Sequence, residues 1–240
     1  MREIGPKKET IKKETIRKET NKIVSTNIPL HIFQTWKTKV LPPHMLETVQ
    51  QLKRENPEFN HYLFDDKDCL QFIVMNYQPI VGWAFQQLIP GAYKADLFRL
   101  CVLYKLGGMY LDIKLSCVKH RRLIELADRE HYVRDRDITM HGSIYDAFMV
   151  CKRGNPFLLH SILQIVQNVR QNYYGGSPLD PTGPQLLGKI NKYFGYKLNM
   201  DLLHKKSGDF VLYRGKPFLH TGYESYHQES QTNIPRYDKC

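Results

Sequence analysis

Four charged residues near the middle of the chain have types and spacing suited to a phosphorylated sugar. Asp96 and Arg99 stand three apart in Ala95-Asp96-Leu97-Phe98-Arg99, inside an otherwise apolar stretch, so on a helix they share one face. A carboxylate there can accept hydrogen bonds from ribose or sugar hydroxyls, while a guanidinium pairs with phosphate oxygens. By spacing alone, an ordinary helix ion pair explains the two better. Asp112 and Lys114 follow in Gly107-Gly108-Met109-Tyr110-Leu111-Asp112-Ile113-Lys114. If that run is a strand, Tyr110, Asp112 and Lys114 alternate with apolar neighbours and point to one face. An acid in this place can hold a divalent cation that bridges the diphosphate of a leaving nucleotide.

The elements that must position these groups follow from hydrophobic period and punctuation. His31 to Trp36 predicts a strand, residues 44–55 a helix stopped by Asn56-Pro57, and His61 to Phe64 a second strand. Asp65 or Asp66 caps a further helix running to about Met75. A long helix over 92–106 ends at Gly107-Gly108, and Met109 to Leu115 leaves that turn as a strand. Strands at 131–134 and 144–151, a helix at 156–172, a helix opened by Thr182-Gly183-Pro184, and strands near 209–213 and 217–220 complete the set. Alternating strands and helices predict an α/β fold with a mostly parallel sheet, whose ligands bind at the carboxyl ends of the strands.

The order of these motifs resembles the glycosyltransferase family with a DxD-containing sugar-binding region, which includes yeast-type initiating mannosyltransferases. It is distantly similar to the large clostridial glucosylating toxins. The resemblance runs through Ile28-Pro29, Phe33-Gln34-Thr35-Trp36, Asn56-Pro57, Phe64-Asp65-Asp66, Ala95 to Arg99 and Gly107 to Asp112. It continues more weakly through Ile144 to Phe148, Gly154-Asn155-Pro156 and Thr182-Gly183-Pro184. It implies a GT-A type, Rossmann-like nucleotide-sugar-binding domain over 26–240 that transfers a hexose with retention of configuration. The donor is a nucleoside-diphosphate sugar and the acceptor a hydroxyl on a glycan or another molecule. Carried over, Trp36 lies near the nucleotide base, Asp96 and Arg99 meet donor sugar and phosphate, and Asp112 touches ribose and metal. Thr182 and Gly183 offer a helix N-terminus to bound groups, and Tyr110 and Asp146 line the substrate.

Two departures bear on the chemistry. Lys114 stands where the second DxD acid belongs, so the Mn²⁺ or Mg²⁺ that the resemblance implies loses a ligand, while an ammonium gains access to the diphosphate. Asp146 stands where the family often has Asn. A non-catalytic nucleotide-sugar or glycan-binding relative is therefore the alternative reading. Of ten histidines, none pairs with another at helical metal-binding spacing. His141, His204, His220 and His227 lie in polar surroundings, and His220 is the candidate to complete a metal or phosphate site. Trp83 reads as core. Neither a P-loop nor a serine or cysteine nucleophile signature occurs.

With 240 residues, 42% of them apolar, the chain can bury a core without disulfide staples. Five scattered cysteines without CxxC spacing read as reduced thiols. The net charge of +11 invites nucleic acid, yet no such motif is present and basic pentads at residues 7–21 hold a share of the excess. Residues 1–25 read as a disordered basic tail that could contact an anionic surface. No apolar run approaches the roughly 20 residues that span a bilayer, and no signal peptide is evident. These features predict a cytoplasmic protein of bacterial or viral origin.

Overall fold

A computed structural model describes residues 26–135, 142–205 and 208–230. The basic tail, His141 and Cys240 lie outside the described residues. The elements are β1 (His31–Thr35), α1 (Pro43–Glu55), β2 (Asn60–Phe64), α2 (Asp66–Asn76), α3 (Pro79–Gln87), α4 (Gly91–Leu106), β3 (Gly108–Leu111), β4 (Ser116–Cys117), β5 (His131–Arg134) and β6 (Ile144–Cys151). After them come α5 (Pro156–Arg170), α6 (Pro184–Phe194), β7 (Met200–Lys205), β8 (Gly208–Tyr213), β9 (Lys216–His220) and α7 (Tyr226–Ser230). Among the described residues, nine strands join one sheet in the order β2-β1-β3-β6-β5-β7-β8-β9-β4.

The α/β class is borne out. Pairing is parallel across β2-β1-β3 and between β5 and β7, and antiparallel at the other contacts. Consecutive strand residues divide between two apolar layers, as the strand period requires. Phe33, Tyr110 and Met149 face the layer that holds α2 to α6. Ile32, Met109, Leu111 and Val150 face the opposite layer with Leu52 of α1. Both faces of the central strands are covered, which is why β3 reads as an unbroken buried run. α4 is buried over Asp96 to Leu103, so Asp96 and Arg99 are the charged residues carried into the interior by that helix.

Local signals hold where they rest on side-chain chemistry. Asp65 caps α2 by accepting from Lys67 N and Asp68 N, and Asp68 returns the bond in a capping box. Asn155 caps α5 through Phe157 N at 2.8 Å. The strand expected over 109–115 does not run that far. After Leu111 pairs with Phe148, Asp112 N donates to Ala147 O at 2.8 Å, and Leu115 N donates to Asp112 O at 2.9 Å, closing a turn. Ile113 packs on Met45 and Val49 from within that turn. Asp112 and Lys114 are therefore turn residues, not two rungs of one strand face. Trp83 is also not core: it is 39% exposed on α3, a helix the periodicity did not reveal. Cys69, Cys101, Cys117 and Cys151 are free and buried, as expected of reduced thiols.

The close fit of β3 against β1 rests on Gly108. Its φ is +121°, and a Cβ there would lie 2.7 Å from the His31 carbonyl oxygen, which belongs to the sheet and cannot move aside. Gly108→Ala is expected to lower unfolding free energy by about 3 kcal/mol in urea titrations. Gly176→Ala, where nothing lies within 4 Å of the added carbon, should change it by less than about 0.5 kcal/mol.

Candidate functional site

The carboxyl ends of β1 and β3 lie side by side, with Phe33 opposite Tyr110. Every charged candidate from the central sequence converges beside them. Arg99, 4% exposed, is the hub. Its guanidinium lies 3.3 Å from Asp96, 3.3 Å from Asp112 and 2.7 Å from Asp146. It also stacks over the Tyr110 ring, 4.7 Å from the centroid. Tyr110 is fixed in turn by a 2.8 Å hydrogen bond between its hydroxyl and Thr35 Oγ1. One helix, the end of β3 and β6 thus meet at one guanidinium, with the end of β1 supporting it through Tyr110.

The Thr182-Gly183-Pro184 motif arrives from the other side. Pro184 opens α6, and Thr182 Oγ1 donates to Asp96 Oδ2 at 2.7 Å. A side chain at 183 would crowd the same carboxylate, because a Cβ there would sit 3.1 Å from Asp96 Oδ2. Asp180 ties the approach loop down by accepting from Tyr173 Oη at 3.2 Å and Gly176 N at 3.1 Å, and it pairs with Lys189.

Lys114 reaches the outer edge. Its Nζ lies 3.5 Å from Asp112 Oδ2, and both side chains are about a quarter exposed at 24% and 23%. Trp36 is half-buried on the same side, packed with Leu41 and Leu63 against Met45, Val49 and Ile113. His220 stands at the end of β9, opposite Ser116, with its ring 4.9 Å from Phe210.

Some supporting residues have no role in the sequence reading. Gln34 is fully buried, and its Nε2 approaches the Asp112 carbonyl at 3.5 Å. Its Oε1 meets His61 Nε2 at 2.7 Å. Burial, with Lys53 nearby, pushes His61 down to about 4, so this imidazole is neutral at physiological pH. Position 34 belongs to a recognised run, but only the β1–β3 pairing shows that it props the Asp112 backbone.

Three carboxyls around one guanidinium cannot all ionise cheaply away from water. Burial pushes Asp146 well above the usual carboxylate range despite the close Arg99, and Asp96 and Asp112 add to the rise. Burial also raises Asp96, against the pull of Arg99 and the Thr182 hydroxyl. The Arg99 guanidinium itself is held well above its ordinary value: burial would lower it, but the carboxyls, Asp146 foremost, outweigh that. Asp146 Oδ2 and Arg99 Nε are buried without a hydrogen-bond partner among the described residues. A proton retained on the Asp96–Asp146 pair relieves part of this cost.

The donor set does not fit a protein-held divalent cation. Among the described residues, no three His, Cys, Asp or Glu side chains are grouped to hold a metal ion. The Lys114 ammonium stands beside Asp112 where a second carboxylate would be needed.

Residues 42–131 match the model of a family described as glycosyltransferase sugar-binding region containing DXD motif. Inositol phosphoceramide mannosyltransferase 3 of Schizosaccharomyces pombe is 32% identical over 174 residues, covering 69% of this chain and 45% of that enzyme. Initiation-specific alpha-1,6-mannosyltransferase of Candida albicans is 36% identical over 95 residues, 37% of this chain and 25% of the relative. The chain thus spans less than half the length of these relatives. The solved PaToxG glycosyltransferase superposes with a TM-score of 0.57 at 18% identity, over 77% of this chain and 80% of its own. The expected GT-A fold is borne out. The expectation of a cytoplasmic protein of bacterial or viral origin is not. The relatives are fungal, which points to a eukaryotic source. That expectation had rested on the lack of an apolar span, which does not identify a compartment. Among the described residues, no helix is long and apolar enough to cross a membrane.

The raised Asp146 gives a test of the electrostatics. The folded state holds a proton that the unfolded chain releases near pH 4, so the contribution of this carboxyl to stability is greatest below the usual carboxylate range and falls as pH rises toward the shifted value. Asp146→Asn keeps an oxygen for Arg99 without the charge. It is expected to flatten that decline in thermal melts from pH 4 to 8; an unchanged slope would assign the proton elsewhere.

Proposed function

We propose, from the match of residues 42–131 to the glycosyltransferase sugar-binding region containing DXD motif, that the chain moves a hexose from a nucleoside-diphosphate sugar to a hydroxyl acceptor. The observation that carries this reading is the buried Arg99, which gathers Asp96, Asp112 and Asp146 beside the end of β3, inside or next to the matched region. The fungal relatives are mannosyltransferases by name, so mannose is the first hexose to test. An acceptor bearing a glycan or inositol-phosphate headgroup fits the same relatives.

In the reaction, the bond from the anomeric carbon to the diphosphate oxygen breaks, and its electron pair leaves with the diphosphate. The acceptor oxygen bonds to the anomeric carbon. With retention of configuration, the departing phosphate oxygen takes the acceptor's proton on the same face. The protein's work is to hold these groups and to neutralise charge as it develops. Lys114 meets the diphosphate, since Arg99 is enclosed and its charge is already engaged by three carboxyls. Arg99 instead orients Asp96 toward sugar hydroxyls and Asp112 toward ribose, while Tyr110 and Thr182 hold that geometry. Trp36 flanks the base.

A non-catalytic nucleotide-sugar binder is the second reading, favoured by Lys114 in the place of an acid. Release of nucleoside diphosphate from a panel of nucleotide sugars, each with Mn²⁺, Mg²⁺ or EDTA, separates the two. Turnover of one donor that survives EDTA is expected; binding without turnover, with acceptors supplied, would favour the second reading. Asp112→Ala should lower kcat by at least about 100-fold, and wild-type rates in that variant would remove Asp112 from the site. Lys114→Asp should make donor binding depend on added Mn²⁺, which calorimetry of the nucleoside diphosphate can read without turnover.

A further inference from the structure

We propose that residues 221–230 are a strap across the donor site, latched by Glu229 to the N-terminus of α1, and that Tyr226 is the positioning residue for Lys114. This rests on the donor reading above and adds a segment that the sequence motifs do not include.

The latch is a helix cap supplied from the far end of the chain. Pro42 precedes α1 and offers no side-chain acceptor to its first turn. The vacancy is filled by Glu229: His44 N donates to Oε1 and Met45 N to Oε2, each at 3.2 Å. A carboxylate at the positive end of a helix is favoured by charge as well as by hydrogen bonding. The same carboxylate accepts from Tyr223 Oη at 2.8 Å and meets His44 Nδ1 at 2.6 Å. Ser225 Oγ adds a contact to His44 Nδ1 at 3.1 Å. The other end of the strap is tied to the sheet, where Thr221 N and Oγ1 both donate to Asp209 O, at 3.0 and 3.1 Å.

Between these anchors the strap crosses the turn that bears the site residues. Tyr223 and Tyr226 pack edge to face, 5.5 Å between centroids, on the cluster that holds Trp36, Met45 and Ile113. The Tyr226 ring lies 5.3 Å from Lys114 Nζ. An ammonium on a four-carbon stem has many rotamers. An aromatic face on one side and the Asp112 carboxylate at 3.5 Å on the other select few of them. The strap therefore joins the residue assigned to the base and the residue assigned to the diphosphate. Its latch on α1 centres on one carboxylate that makes four contacts with three residues.

The test compares Glu229→Gln, Glu229→Asp, Tyr226→Phe and Tyr226→Leu in the full chain. Hydrogen exchange at His44 and Met45 reads the latch, calorimetry with a nucleoside diphosphate reads the site, and donor KM is set against kcat. Glu229→Gln should speed exchange at those two amides by about tenfold, as expected for a lost cap, and raise donor KM more than it lowers kcat. Glu229→Asp, with a shorter reach, should restore part of both. Tyr226→Phe keeps the aromatic face and should bind nucleotide as wild type does. Tyr226→Leu should weaken binding by about fivefold, the value of roughly 1 kcal/mol, with the melting temperature of Tyr226→Phe as control for folding. Unchanged exchange in Glu229→Gln overturns the latch. Equal affinity in Tyr226→Phe and Tyr226→Leu overturns the positioning role. If the wild-type protein binds no nucleoside diphosphate, the donor reading falls, while the exchange result still decides the latch.

Discussion

A guanidinium buried among three carboxyls is the constraint from which the rest of the site follows. Arg99 is carried inward by a helix whose buried length is apolar apart from Asp96 and Arg99 itself, so its charge must be compensated on the spot. The three acids that compensate it come from the same helix turn, from the end of β3 and from β6. None of these elements can shift without breaking a contact in low dielectric, where such a loss is most costly. The hub therefore converts the packing of α4 against the sheet into a fixed set of oxygen positions. The excess of carboxyl over guanidinium charge appears as raised proton affinity at Asp146 and Asp96, with burial its main cause.

The same constraint explains why the backbone around β3 is so tightly determined. Gly107 caps α4 at φ +64°, and Gly108 then passes close under the His31 carbonyl. A bulkier link would displace Tyr110 and Asp112 from Arg99. The strand ends after Leu111 because Asp112 bonds to Ala147 and then closes a turn with Leu115. That turn brings Lys114 back beside Asp112 instead of leaving it further along a strand. Gln34 and the neutral His61 support the turn from below. Rigid elements thus hold the oxygens, and the one flexible charge sits at the rim beside the C-terminal strap.

Much of this was legible in the amino-acid sequence, for reasons that can be named. Most helix and strand positions followed from periodicity, and the cap of α2 followed from a side-chain oxygen that serves its own helix, that of Asp65. The family's motif order marked Asp96, Arg99, Asp112, Asp146, Thr182 and Gly183, and these are the residues that meet around Arg99 and Asp96. Motif order suffices for them because each belongs to a short run of recognisable residues, although Asp96 and Arg99 lie within α4 and Asp146 within β6. Trp83 misled because a large apolar side chain on a short helix carries no mark of which face is covered.

Tertiary structure alone decided the relations between residues far apart in the chain. The sequence could not reveal that Asp112 leaves the strand, because the alternation of Tyr110, Asp112 and Lys114 suits a strand as well as a turn; the partner strand β6 sets the end. Nor could it reveal that Glu229 caps α1, since a cap supplied across 185 positions leaves no local pattern. The proton affinity of Asp146 is likewise a property of burial and of three neighbours, and none of these is written at position 146. Composition and spacing determine which groups can do the chemistry. The distances that make them act together arise only when apolar burial closes the sheet, since that closure fixes their mutual positions and removes the water that would otherwise separate their charges.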